Sequence, residues 1–196
     1  MKQEKSKISV LMSVYKKENP EYLRASLESI LVQTRTADEI LLIEDGPLTQ
    51  ELYQVVAEYQ KKCDYLHVHA MEQNVQLGRA LAKGVELCQY DLIARMDTDD
   101  IAMPHRLEKE GAYMEAHPEV DVVGGAIREF NDEGTIDRVK NMPKTQEEIL
   151  EYVKVRNPLN HMTVMYRKDS ILKAGNYKHF PFLEDYSLWS RMLSQG

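Results

Sequence analysis

The sequence predicts an α/β fold with a mainly parallel central sheet and helices on both faces. Two observations carry that expectation. Runs such as Ile8 to Val14, Glu39 to Glu44 and Leu92 to Met96 are nearly continuous in apolar residues, as strands covered on both faces are. They alternate with segments whose apolar residues recur at helical spacing, the order that yields a parallel sheet. A third observation bears on function. The run Leu92 to Met96 delivers Asp97-Thr98-Asp99-Asp100 at a strand end, where ligands of open α/β sheets bind.

Each element follows in turn. After the first strand, Ile8 to Val14, a helix runs from about Glu21 to Val32, with Leu23, Leu27, Ile30 and Leu31 on one face. The second strand, Glu39 to Glu44, is ended by the turn residues Asp45-Gly46-Pro47. A helix from Gln50 to Lys61, a short strand from Tyr65 to Ala70 and a helix from Leu77 to Cys88 lead to the strand before the acids. Pro104 suits the first turn of a helix reaching His117. Val120 to Gly124 and Ile127 to Phe130 read as strands about a Gly124-Gly125 turn. Gln146 to Val153 reads as a helix, His161 to Arg167 as a strand, and Leu183 to Gln195 as a last helix. No linker, repeat or low-complexity tract breaks the chain, so a single domain, residues 1–196, is expected.

Composition narrows the function. The chain is long enough for one full core, and its net charge of -7 argues against a nucleic-acid partner, because binding a duplex needs clustered Lys and Arg. Cys63 and Cys88 lie in helical stretches without metal-ligand spacing. They are expected as small buried residues of a reducing compartment. The start, Met1 to Lys7, is charged and lacks the apolar stretch of a signal peptide. No apolar run reaches the roughly 18 residues that cross a bilayer. The expected location is the cytoplasm, with peripheral contact at the inner face of the membrane left open.

Three acids in four positions repel one another, an arrangement that is tolerable if a divalent cation sits among them. A metal held by one or two carboxylates completes its shell with substrate phosphates. That points to a nucleotide-linked substrate. The Gly-x-Gly-x-x-Gly and P-loop fingerprints are both missing, so side chains and strand-end backbone must hold the nucleotide. Ser13 and Tyr15 could meet a base or ribose, or be ordinary loop residues. Asp45 could accept from a uracil-like N–H, or only form the turn. Gly78 could permit close backbone approach, and Arg79 could reach a diphosphate or lie in solvent. Asp100 could instead cap the following helix. Glu184-Asp185 suits a helix start by charge and equally suits a general base. Trp189 belongs near that pocket or in the core. His161 is a candidate metal ligand or diphosphate contact, with a structural histidine as the alternative.

Six pieces in order resemble the family 2 glycosyltransferases of GT-A fold. They are Ile8 to Tyr15, Ser29-Ile30-Leu31-Val32-Gln33-Thr34, Glu39 to Gly46, Asn74 to Arg79, Asp97 to Asp100 with Pro104-His105-Arg106-Leu107, and Glu184-Asp185-Tyr186-Ser187-Leu188-Trp189. The subgroup resembled consists of bacterial enzymes of exopolysaccharide or lipopolysaccharide assembly. The resemblance implies a Rossmann-like nucleotide-binding half, about residues 1–100, and an acceptor-binding half, about residues 101–196. It implies metal-dependent, inverting transfer from a nucleotide-sugar, UDP-linked by default, to a hydroxyl of a saccharide or lipid-linked saccharide. By the same resemblance Asp45 reads the base, with Ser13 and Tyr15 lining its pocket. Asp99 ligates Mn²⁺ or Mg²⁺, Asp97 contacts ribose or the metal, and Asp185 is the catalytic base. Gly78 and Arg79 fall to the nucleotide, while Asp100, His161, Glu184 and Trp189 fall to the acceptor or diphosphate. Glu44 stands where the family usually has Asp. Family members normally continue past the Glu-Asp helix, so an acceptor half cut short after Gly196 is expected. The alternatives are a catalytically incomplete nucleotide-sugar-binding module and a sugar-1-phosphate nucleotidyltransferase. Against the latter, Ser13 to Asn19 contains no glycine.

Overall fold

The computed structural model describes residues 5–131 and 136–195. Of the charged start, Met1 to Glu4 lie outside the described residues, as does Gly196. Strands β1 (Ile8–Val14), β2 (Glu39–Glu44), β3 (Leu66–Ala70) and β4 (Leu92–Met96) pair in parallel. The chain adds β2 and β3 on one side of β1, then returns to place β4 on the other; with β5 (Val122–Val123) and β8 (Met165–Arg167) the sheet order is β3-β2-β1-β4-β8-β5. That reversal puts the topological switch point between β1 and β4. Their carboxyl ends carry Ser13 and the acid cluster, so the expected ligand crevice coincides with them.

Alternation along the strands splits the core into two layers. Val10, Met12 and Ala94 pack with α1 (Pro20–Leu31), α2 (Gln50–Lys62) and α4 (Arg106–Ala116), through Leu27, Val56 and Leu107 among others. Leu11, Ile43 and Ile93 pack on the opposite face with α3 (Leu77–Leu87), α6 (Lys168–Lys173) and α7 (Glu184–Ser194), through Leu81, Ile171 and Trp189. Side-chain caps start two of these helices: Asn19 accepts from Glu21 N ahead of Pro20 at the first turn of α1, and Thr49 accepts from Leu52 N. Cys63 and Cys88 are buried and free, as expected.

The second half departs from expectation in several places. Val122–Val123 (β5) and Ile127–Phe130 (β6) do not form a hairpin about Gly124-Gly125. β5 joins the main sheet beside β8 (Met165–Arg167), while β6 pairs with β7 (Asp137–Lys140) as a separate ribbon. β7 is unexpected, because Asp137-Arg138-Val139-Lys140 is exposed and lacks an apolar alternation. The ribbon is closed by cross-strand charge, Arg128 with Asp137 and Glu129 with Arg138. His161–Thr163 is a 3-10 turn instead of the first part of a strand, and only Met165–Arg167 extends. Pro104 precedes α4 instead of entering its first turn, since the helix begins at Arg106. The short helix α6, six residues long, is likewise unexpected. α5 (Gln146–Tyr152) forms as expected on a capping box between Thr145 and Glu148, yet it buries no residue.

Candidate active site

The carboxyl ends of β1, β2 and β4 open onto a cavity of about 550 Å³, whose walls include Ser13, Tyr15, Glu18, Asp45, Asp97, Asp99 and Glu184. Asp97, Asp99 and Asp100 each offer a carboxylate oxygen, and these oxygens lie within 4.8 Å of one another. That donor set fits a hard divalent cation. Burial, and then the neighbouring acids, push the Asp100 carboxyl up to about 6 and raise that of Asp99. Asp100 therefore belongs with the acid cluster, and it does not cap the following helix, since α4 is preceded by His105.

One face of α1 pins the segment that carries the acids. Ser26 Oγ donates to the Asp97 carbonyl at 2.7 Å, and Ala102 N donates to Ser29 Oγ at 3.0 Å. Gln33 Nε2 donates to the carbonyls of Met103 (2.8 Å) and Ser29 (3.0 Å), while its Oε1 accepts from Leu107 N at 3.0 Å. The polar residues of Ser29-Ile30-Leu31-Val32-Gln33-Thr34 thus act on the acid turn from behind. Thr98 Oγ1 donates to Glu18 at 2.6 Å from the cavity side.

Asp45 ends β2 with both oxygens engaged. Val75 N donates to Oδ1 at 2.6 Å and Asn74 Nδ2 to Oδ2 at 2.9 Å. Burial raises its carboxyl, and the backbone N–H donors oppose that rise. Gly46 takes φ +84°, and a Cβ there would sit 2.5 Å from Asn74 N, so the turn that aims Asp45 requires glycine. Gly78 has a different duty from the one expected. A Cβ on it would meet the Lys178 carbonyl at 2.5 Å and Glu184 Cγ at 2.8 Å, so it lets α3 close against the segment leading to α7. Arg79 is exposed and stands outside the cavity lining.

On α7, Glu184 faces the cavity. Asp185 is buried and not among that cavity's lining residues, accepting from Asn157 Nδ2 at 2.5 Å and from Tyr186 N at 2.7 Å. Burial raises the Asp185 carboxyl, with the Asn157 bond the first opposing influence. Trp189 is 2% exposed and belongs to the core. His161 is half-buried, with Nε2 3.0 Å from Tyr177 Oη. Burial, and then the nearby Arg95 cation, hold its ring well below the usual histidine range. It stands apart from the acid cluster, so it is no ligand there. A second cavity, of about 540 Å³, adjoins the acid turn through Asp100 and is lined by Met103, Arg106, Ile127, Phe130 and Met162 among others.

Residues 9–178 match the family described as Glycosyl transferase family 2. The chain belongs to that family. Among its relatives is the amylovoran biosynthesis glycosyltransferase AmsE of Erwinia amylovora, 45% identical over 188 residues, covering 96% of this chain and 70% of that protein. Another is the Escherichia coli UDP-Gal:alpha-D-GlcNAc-diphosphoundecaprenol beta-1,3-galactosyltransferase, 35% identical over 202 residues, covering 100% and 71% respectively. Among solved structures, S. aureus TarS 1-349 in complex with UDP-GlcNAc superposes with a TM-score of 0.75 at 19% identity, over 95% of this chain and 53% of that one. The fold is therefore GT-A, and the chain is a glycosyltransferase resembling bacterial polysaccharide enzymes.

In this family 2 glycosyltransferase two kinds of residue matter that sequence reasoning passes over. Arg95, 1% exposed, lies in β4 beneath the acids, with Nη1 2.5 Å from Asp97 Oδ2. That is ion-pair distance without hydrogen-bond angles, so Nη1 and Nε have no hydrogen-bond partner among the described residues. A charged residue in an otherwise apolar buried run is the available signal. Gln76 and Phe182 line the cavity at the strand ends at φ +71° and +67°, and nothing in their identity announces a left-handed backbone. Such backbone gathers at functional sites.

Proposed function

We propose that this glycosyltransferase binds a UDP-linked sugar in the cavity at the β1, β2 and β4 ends and transfers the sugar, with inversion, to a hydroxyl of a saccharide or lipid-linked saccharide. The observation that carries the reading is the acid cluster Asp97, Asp99 and Asp100 on the wall of a cavity that also presents Ser13, Tyr15 and Asp45. Asp99 and Asp97, joined by Asp100, would hold Mn²⁺ or Mg²⁺. A divalent cation there neutralises charge on the diphosphate of the departing nucleotide. Asp45 accepts from the base N–H, and Ser13 and Tyr15 flank base and ribose. Residues 1–100 then form the donor half, and residues 101–196 the acceptor half.

Asp185 takes the proton from the acceptor hydroxyl as that oxygen attacks the anomeric carbon. The bond from that carbon to the diphosphate breaks on the opposite face, through an oxocarbenium-like transition state. The second cavity, entered past Asp100 and largely apolar in its lining, suits an acceptor with an apolar portion. The E. coli relative is named for a diphosphoundecaprenol acceptor, which supports a lipid-linked acceptor and a site of action at the cytoplasmic face of the membrane. Among the described residues no helix is long and apolar enough to cross a membrane.

The test is calorimetric titration of UDP, GDP and CMP, with Mn²⁺ and with EDTA. UDP should bind only with the metal. Asp99→Ala should weaken that binding about a hundredfold, or about 2.7 kcal/mol, within the range for removing one charged partner. Equal binding in EDTA, or preference for another nucleotide, would overturn the corresponding part of the reading.

A further inference from the structure

We propose that Asn157 is a positioning residue for Asp185, holding Oδ2 while Tyr186 N holds Oδ1, so that the carboxylate keeps the orientation in which it meets the acceptor hydroxyl. The proposal rests on the reading of Asp185 as the base.

Asn157 lies in the segment between α5 and the 3-10 turn at His161–Thr163, and its amide orientation follows from its own bonds. Oδ1 accepts from Leu159 N at 3.3 Å, which turns the NH₂ group toward Asp185 Oδ2, 2.5 Å away. The segment is fastened at both ends, so this NH₂ has a fixed address. At one end Tyr186 Oη, from the residue next to Asp185, donates to the Val153 carbonyl. At the other, Asn160 Nδ2 donates to the Gly125 carbonyl at 3.1 Å, Gly125 N donates to Thr163 Oγ1 at 2.9 Å, and Thr163 Oγ1 donates to the Asn160 carbonyl at 2.8 Å. His161 adds its contact with Tyr177. The stretch from Asn157 to Thr163 therefore connects the Gly124-Gly125 junction to the base, which gives a use to residues that bind neither acid cluster nor nucleotide.

The arrangement suits a buried base. Burial favours the neutral acid, while a donor to the charged form restores the carboxylate that can accept a proton. The other charged or titratable groups facing Asp185 are Arg95 from β4, which also favours the carboxylate, Tyr177 from the segment after α6, and its chain neighbour Glu184. Removing Asn157 leaves burial less opposed, so the Asp185 titration moves to higher pH. An Asp at position 157 would add a second carboxylate beside the first and move it further.

The test uses the whole chain with Mn²⁺ and UDP-galactose, water serving as acceptor and UDP release as the readout. Alongside it, the carboxyl-carbon resonance of Asp185, assigned by its disappearance in Asp185→Asn, is titrated by NMR. In Asn157→Ala, and in Asn157→Asp more strongly, the titration midpoint and the acid limb of turnover should both move up. Turnover at neutral pH should fall about tenfold or more, the worth of one hydrogen bond to a charged group, with donor KM unchanged. Asn157→Ser carries the same test should Ala fail to fold. An unmoved midpoint with wild-type turnover in the Asn157 variants, while Asp185→Asn is inactive, overturns the proposal alone. Wild-type turnover in Asp185→Asn overturns the base reading and the proposal with it.

Discussion

The two walls of the active site are built on different principles. The wall proposed for the donor stands on β1, β2 and β4, whose residues are almost all buried, and its acid turn is held by Ser26 and Ser29 of α1 and by Gln33 just past its end. The wall proposed for the acceptor uses the β6–β7 ribbon, half of whose residues or more are exposed, and is followed in the chain by α5, which buries nothing. Polar bonds and ion pairs hold it where apolar area does not. A metal and a diphosphate need donors fixed to fractions of an ångström. An acceptor site that must admit and release a bulky saccharide can be held by interactions that open at lower cost.

The harshest way to break the comparison is to remove the buried cation under the donor wall. Arg95→Met leaves the Asp97 carboxylate, whose side chain is 28% exposed, without its counter-charge and returns the repulsion among the three acids. Breaking a buried pair from one side costs about 3 kcal/mol, and some relief by solvent at Asp97 brings the expectation toward about 2 kcal/mol. Urea unfolding followed by circular dichroism measures it. A midpoint unchanged from wild type would mean that Arg95 is carried at no cost and that the donor wall does not depend on it.

A smaller effect sharpens the comparison. Gln33→Leu keeps the volume of a buried residue but strands the carbonyl of Met103 and the N–H of Leu107. Each buried group left unsatisfied costs about 1–3 kcal/mol, so a decrease near the lower end is expected if water reaches one of them. The informative readout is UDP affinity with Mn²⁺, which should drop together with stability, because the same bonds shape the acid turn. Reduced stability with affinity intact would show that Gln33 supports the fold without shaping the site.

The same contrast explains what the sequence disclosed. Strands β1 to β4 and their helices are legible because two-sided burial writes itself as apolar runs and three-to-four spacing. The acid cluster is legible because three like charges at a strand end have few purely structural uses. β7 is not, since an exposed ribbon closed by Arg128–Asp137 and Glu129–Arg138 carries no hydrophobic period. The Gly124-Gly125 pair reads as a hairpin turn because sequence gives spacing without partners, and the partner of β5 is β8, about forty residues on. His161 reads as a ligand candidate because its type permits it; only its burial, with Arg95 nearby, shows why its ring is held well below the usual histidine range. Arg95 is hidden inside a run that counts as apolar.

The mildest perturbation tests the helix that follows the ribbon. Thr145 caps α5 by accepting from Glu148 N at 3.2 Å, while Glu148 returns bonds to the N–H groups of Thr145 and Lys144. Thr145→Ala removes one half of that box, worth about 1 kcal/mol. Because α5 buries no residue, little tertiary packing spreads the effect. Amide exchange within Gln146–Tyr152 should quicken by about fivefold, the equivalent of about 1 kcal/mol, while exchange in β1 and β2 keeps its wild-type rate. If β1 and β2 quicken as much as α5, the strand-end wall and the segment after the ribbon unfold as one unit, and the contrast drawn between them fails.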